Sequence, residues 1–144
     1  MTTTPPAAAL TLTDLAEGTR AQVEFTITHQ DMRTFATLSG DYNPLHLDDA
    51  FAKTKGFDGA VVYGALITAK ISQLIGMRLP GRDSVWSSIA LQFRKPLYVG
   101  DIAQAEGAVS ARSESTGMIE LSLIVRARGL VLAKGKAEVL LVSR

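Results

Sequence analysis

The hydrophobic pattern of this chain changes period near residue 80, and the change separates a helix-rich half from a strand-rich half. Val23, Phe25 and Ile27 alternate with polar residues over positions 21–27, the pattern of a strand with one buried face. Thr28 is placed to cap a helix in which Met32, Phe35, Ala36 and Leu38 recur at helical spacing, ending at Ser39-Gly40. The next ten residues, GDYNPLHLDD at 40–49, have no period and hold Gly, Asn, Pro and three Asp, so they read as an ordered loop.

A short helix is expected over 50–55, followed by an interruption at Gly56, Asp58 and Gly59. Positions 61–77, VVYGALITAKISQLIGM, are apolar almost all round and predict a helix buried on most of its surface. After the turn LPGRDS at 79–84, strands are predicted over 86–94, 102–113, 118–128 and 130–142, broken at Gly100-Asp101, at 115–117 and at Gly129. Breaks this short predict an antiparallel meander in which each strand pairs with the next. The sum is a single α+β domain whose sheet wraps one long helix. The Thr-, Pro- and Ala-rich residues 1–9 read as a flexible leader before a domain at 10–144.

Composition narrows what such a domain does. The 144 residues carry a net charge of +1 and 47% hydrophobic residues, which suits one folded core. The absence of cysteine excludes thiol catalysis and cysteine-ligated zinc, and no metal site is expected. Near-neutral charge without runs of one sign argues against a nucleic-acid partner. No apolar run reaches the ~18 residues of a membrane span, and a cytoplasmic location is expected.

Two histidines are available for acid–base work. His29 falls at a helix start among polar neighbours and reads as a solvated surface residue. His46 follows Asp41 by five positions with Asn43-Pro44 between them, and the proline stiffens the backbone joining the two side chains. A catalytic pair needs such stiffness, because both groups must reach one reacting atom. The same spacing also fits an ordinary turn capped by Asp41, with His46 incidental.

The stretch FATLSGDYNPLHLDDAFAKTKGFDGAVVYGAL, residues 35–66, resembles the signature of the MaoC-like (R)-specific enoyl-CoA hydratase family, F-x-x-x-S-G-D-x-N-P-x-H-x-D followed by a phenylalanine-bearing turn and an I-x-H-G helix start. LQFRKPLYVGD at 91–101 is similar to a later strand of that family. The resemblance implies a hot-dog fold, the long helix held in an antiparallel sheet. It also implies addition of water to a trans-2-enoyl thioester to give the (R)-3-hydroxyacyl product, or the reverse dehydration. Asp41 and His46 would activate the water, and the main-chain N–H of Gly64 would bind the thioester oxygen. Asn43 matches a residue that orients the loop, and Ser72 one near the acyl chain. No cofactor is implied beyond the thioester substrate, carried by coenzyme A or an acyl carrier protein, and a homodimer is the expected assembly.

The chain departs from the family where Tyr63-Gly64 stands in place of His-Gly. A phenol there either reshapes the pocket mouth or packs in the core. Arg82, Arg94 and Lys95 are candidates to meet carrier phosphates. Two other readings are an acyl-thioesterase and a non-catalytic acyl-thioester binding protein. The first lacks its helix-borne carboxylate, since no Asp or Glu occurs between Gly59 and Asp83. Retention of Asp41 and His46 argues against the second.

Overall fold

A computed structural model of the protein describes residues 3–142. A turn of 3-10 helix at Leu12–Asp14 leads to β1 (Arg20–Phe25), and α1 (His29–Ser39), α2 (Pro44–Leu47), α3 (Asp49–Thr54) and α4 (Gly64–Met77) follow. The chain then forms β2 (Ser84–Phe93), β3 (Ala103–Arg112), β4 (Met118–Ala127) and β5 (Leu130–Leu141). All five strands join one antiparallel sheet. Helix α4 packs against β1, β2 and β3, which gives the α+β arrangement expected of the sequence.

Local chemistry explains most boundaries. Thr28 caps α1 by accepting from the N–H of Asp31 at 3.1 Å, and the Asp31 carboxylate accepts from the N–H of Thr28 at 2.9 Å. The bond from Thr28 N–H is the largest cause that holds the Asp31 carboxyl below its ordinary pKa. Gly40 ends the helix in the left-handed region at φ 75°, a conformation that costs glycine nothing. Asp41 therefore enters the next segment immediately after a sharp stop.

Three expectations from the sequence need correction. The aperiodic segment after Gly40 contains a helical turn, α2, because Asn43 caps it through a 3.0 Å bond from Leu45 N–H and Pro44 occupies the first helical position. The long helix begins at Gly64 rather than at 61. Val61 instead bridges Tyr98, and the N–H of Val62 donates to Leu97 at 2.8 Å, so both residues are held extended. The strands do not form a simple meander: their order is β1-β3-β4-β5-β2. Pro96 lies in the β2–β3 connection, which bonds Val62 and, through Gly100 N–H, Ile27 instead of turning back on β2.

Ala8 and Leu10 also exchange backbone hydrogen bonds with Met77, Pro80 and Arg82, and Ala9 bridges Gly81. Order thus reaches into the segment that composition marks as a leader, through main-chain groups that composition does not register. The core lies between α4 and one face of the sheet. Ile67, Ile71, Leu74 and Ile75 meet Val23, Val109, Leu121, Leu123 and Val125 in one buried cluster. Full burial of side chains of this size stabilises by about 1.5–3 kcal/mol each.

Candidate active site

The residues of interest converge where the segment after α1 meets the start of α4. His46 is carried by α2 and is half-buried. Its Nδ1 lies 2.6 Å from the main-chain oxygen of Val61. A carbonyl only accepts, so Nδ1 is the donor, and the neutral tautomer that fits this bond has its lone pair on Nε2. The ring face rests on Tyr63, with centroids 4.1 Å apart and planes 27° apart. Two residues of one extended strap, Val61 and Tyr63, thus fix the imidazole in its plane and across it.

Asp41 sits at the exposed end of the same construction. Its N–H donates to Ser39 Oγ at 3.1 Å, and its Oδ1 accepts from the N–H of Asn43 at 3.0 Å. Its main-chain oxygen accepts a 2.6 Å bond from the Tyr63 hydroxyl. The Asn43 side chain accepts from Leu45 N–H at 3.0 Å, the cap that sets α2. Burial first, and the neighbouring Asp41 charge second, push the Tyr63 hydroxyl above its ordinary pKa, so it remains a donor at neutral pH.

Gly64 is the first residue of α4, whose N-terminus presents N–H groups without helical partners and the positive end of the helix dipole. Its missing side chain matters, because a Cβ there would stand 2.9 Å from Phe93 Cζ. His46 and Gly64 line one pocket of about 360 Å³ together with Phe57, Ile67, Phe93 and Leu97. Arg94 and Lys95 line it as well. A larger groove of about 720 Å³, between Leu10–Thr13, Arg82–Val85 and Leu141–Val142, holds no histidine.

The structure therefore brings His46, Gly64, Tyr63 and Asn43 together, and Asp41 through its backbone. Asp41 does not line the pocket. Ser72 lies exposed on α4, about two turns beyond Gly64, and does not line it either. Tyr63 is 2% exposed, so it packs beneath the site rather than shaping the pocket mouth. Arg82 is paired with Asp83 at 3.7 Å beside the larger groove. His29 is exposed at the start of α1. Among the described residues no group of three or more His, Cys, Asp or Glu is arranged to hold a metal, and no helix is long and apolar enough to cross a membrane.

Two contributors were not visible in the sequence. Val61 acts through its carbonyl, and a main-chain group leaves no side-chain signal. Phe93 falls within a predicted strand, but its approach to Gly64 joins residues 29 positions apart and leaves no local signal.

Residues 12–126 match the model of the MaoC-like domain family. The chain is 37% identical to an (R)-specific enoyl-CoA hydratase of Aeromonas caviae over 119 residues, 83% of this chain and 89% of that protein. It is 30% identical to an (R)-specific enoyl-CoA hydratase of Rhodospirillum rubrum over 91% of both chains. The solved structure of the A. caviae (R)-hydratase superposes with a TM-score of 0.84 at 36% identity, covering 88% of this chain and 97% of that one.

Proposed function

From the premise that this chain belongs to the MaoC-like family, we infer that it is a hydro-lyase adding water to trans-2-enoyl thioesters to give (R)-3-hydroxyacyl thioesters, and catalysing the reverse dehydration. The observation that carries this reading is that His46 and Gly64 line one pocket. A base with a free Nε2 and a helix N-terminus thereby face the same small volume.

The chemistry follows from those positions. In hydration the His46–Asp41 pair takes a proton from water, the hydroxyl bonds to C3 of the enoyl group, and a proton is delivered to C2. Charge develops meanwhile on the thioester oxygen, and the Gly64 N–H is the donor that stabilises it. Proton and water traffic of this kind runs between side chains, so the reaction as proposed needs no cofactor. The carrier is coenzyme A or an acyl carrier protein. Arg94 and Lys95 beside the pocket suit the phosphates of either carrier.

Two copies would join through β2. This edge strand exposes Val85 at 54%, Ile89 at 37% and Phe93 at 53%, an unprotected apolar edge of the kind that a second chain covers. The other edge, β1, is shorter and carries Arg20 and Glu24 on exposed positions.

The test is to mix the purified protein with crotonyl-CoA and follow the enoyl-thioester absorbance. Loss of the band with formation of (R)-3-hydroxybutyryl-CoA is expected. No loss with crotonyl-CoA, longer enoyl-CoA or the matching carrier-protein thioesters would refute the reading, and release of free thiol would show hydrolysis instead.

A further inference from the structure

Tyr63 lies between the two groups to which the reaction is assigned. Its ring is the surface on which the His46 imidazole rests, 4.1 Å between centroids. Its hydroxyl donates 2.6 Å to the main-chain oxygen of Asp41. Phe35 of α1 closes the ring in from elsewhere, at 4.6 Å and tilted by 54°. Among the described residues, no other side chain joins His46 to Asp41 by a hydrogen bond or ring contact.

We propose that Tyr63 is a positioning residue that sets the distance and angle between Asp41 and His46. The proposal rests on the reading of those two as the reacting pair. In-plane rotation of the imidazole is already fixed by the bond from Nδ1 to Val61. Tilt out of that plane is fixed by the face of Tyr63. The hydroxyl ties the Asp41 main chain to that same ring, while the Asp41 carboxylate is held by the N–H of Asn43. The strap 61–64 therefore supplies a carbonyl to orient the base, a ring to seat it, a hydroxyl to hold its partner and an N–H for the substrate oxygen. Because acid–base transfer depends steeply on the placement of the reacting groups, a residue can act on turnover without touching substrate.

Tyr63 does not line the pocket, which separates its effect from binding. The sequence shows where the arrangement comes from: a phenol at position 63 puts a polar atom at the far end of a six-membered ring, so the ring can stack while its end still reaches a backbone oxygen 22 residues away.

Tyr63→Phe keeps the ring and removes the hydroxyl. We expect kcat to fall by roughly three- to tenfold, the factor that loss of one hydrogen bond supplies, with KM within about twofold of wild type. Tyr63→Leu also removes the seat of the imidazole and should fall further. The decisive arm places Tyr63→Phe in an Asp41→Asn background. A hydroxyl that acts through Asp41 has little more to lose there, so the two losses will not multiply. A readout independent of turnover is the amide 15N signal of Tyr42, which shares its peptide unit with the Asp41 oxygen and should move in Tyr63→Phe. Wild-type kcat in folded Tyr63→Phe, the same fold-loss in both backgrounds, or an unmoved Tyr42 signal would each overturn the proposal. Undiminished turnover in Asp41→Asn alone would overturn the assignment of the pair instead, whatever the Tyr42 signal showed.

Discussion

Gly64→Ala should separate folding from catalysis. An added Cβ would stand 2.9 Å from Cζ of Phe93, 3.1 Å from Cε2 and 3.4 Å from Cε1. The obstacle is the far end of a single side-chain ring rather than backbone, so the ring can turn away without moving the strand. Alanine is the better helix former by up to about 1 kcal/mol, which offsets the repacking. Stability should stay within about 1 kcal/mol, and Tm within about 5 °C, of wild type. Activity should not be spared. Gly64 lines the pocket, so the methyl would crowd the N–H to which the proposed mechanism assigns the thioester oxygen. Outright loss of such a donor costs about 10²–10³-fold in kcat. Gly64→Ala keeps the N–H but hinders access to it, so a fall of at least about tenfold is expected, bounded above by that range. Thermal melts and the crotonyl-CoA assay measure the two sides. Full activity in the folded variant would refute the role given to Gly64, and a cooperative loss of several kcal/mol would refute the view that Phe93 can move.

Gly135→Ala is the contrasting case: its Cβ would meet the Ala90 oxygen at 1.9 Å and the Leu91 Cα at 2.8 Å, both backbone, so β2 must separate from β5. A loss of about 3 kcal/mol in urea titrations is expected, and a neutral result would show that the β2–β5 register is wrong. Asp31→Ala should cost about 1 kcal/mol at pH 7 through loss of the α1 cap. Because the folded pKa of Asp31 lies below its ordinary 3.8, this contribution is present above that value and disappears as pH falls through the lowered one. Melts of both proteins should therefore converge in acid, and a gap that persists there would contradict the cap assignment. Ile89→Lys places a charge on the exposed edge of β2 and should shift a dimer toward the 15.4 kDa monomer in sedimentation. A wild-type protein that sediments as a monomer at micromolar concentration would remove the β2 interface altogether.

What the sequence made legible is what neighbouring residues decide among themselves. The cap at Thr28, the stop at Gly40 and the alternation of β3 to β5 are local, and the structure places them within two residues of expectation. The partner of β2 was not legible, because it is set by how residues 94–102 cross to Val62 and Ile27. The start of the central helix was misplaced for a related reason: Val61 and Val62 are as apolar as the helix they precede, and only their pairing with Leu97 and Tyr98 keeps them extended. At the site, the spacing of Asp41 and His46 singled out the loop from which His46 reaches the pocket. The tautomer of His46 rests on a carbonyl 15 residues away, and the tie between Tyr63 and Asp41 spans 22. Neither could be read from residue types.

The central claim is that Asp41 and His46 together carry water addition. The most direct measurement is the rate of crotonyl-CoA hydration by Asp41→Asn and His46→Ala beside wild type, each shown to be folded by its melting curve. Removal of a positioned acid or base should lower kcat by about 10²–10⁴-fold in each variant, and stability should change little at these exposed and half-buried positions. A folded variant of either residue that hydrates crotonyl-CoA at the wild-type rate would contradict the account.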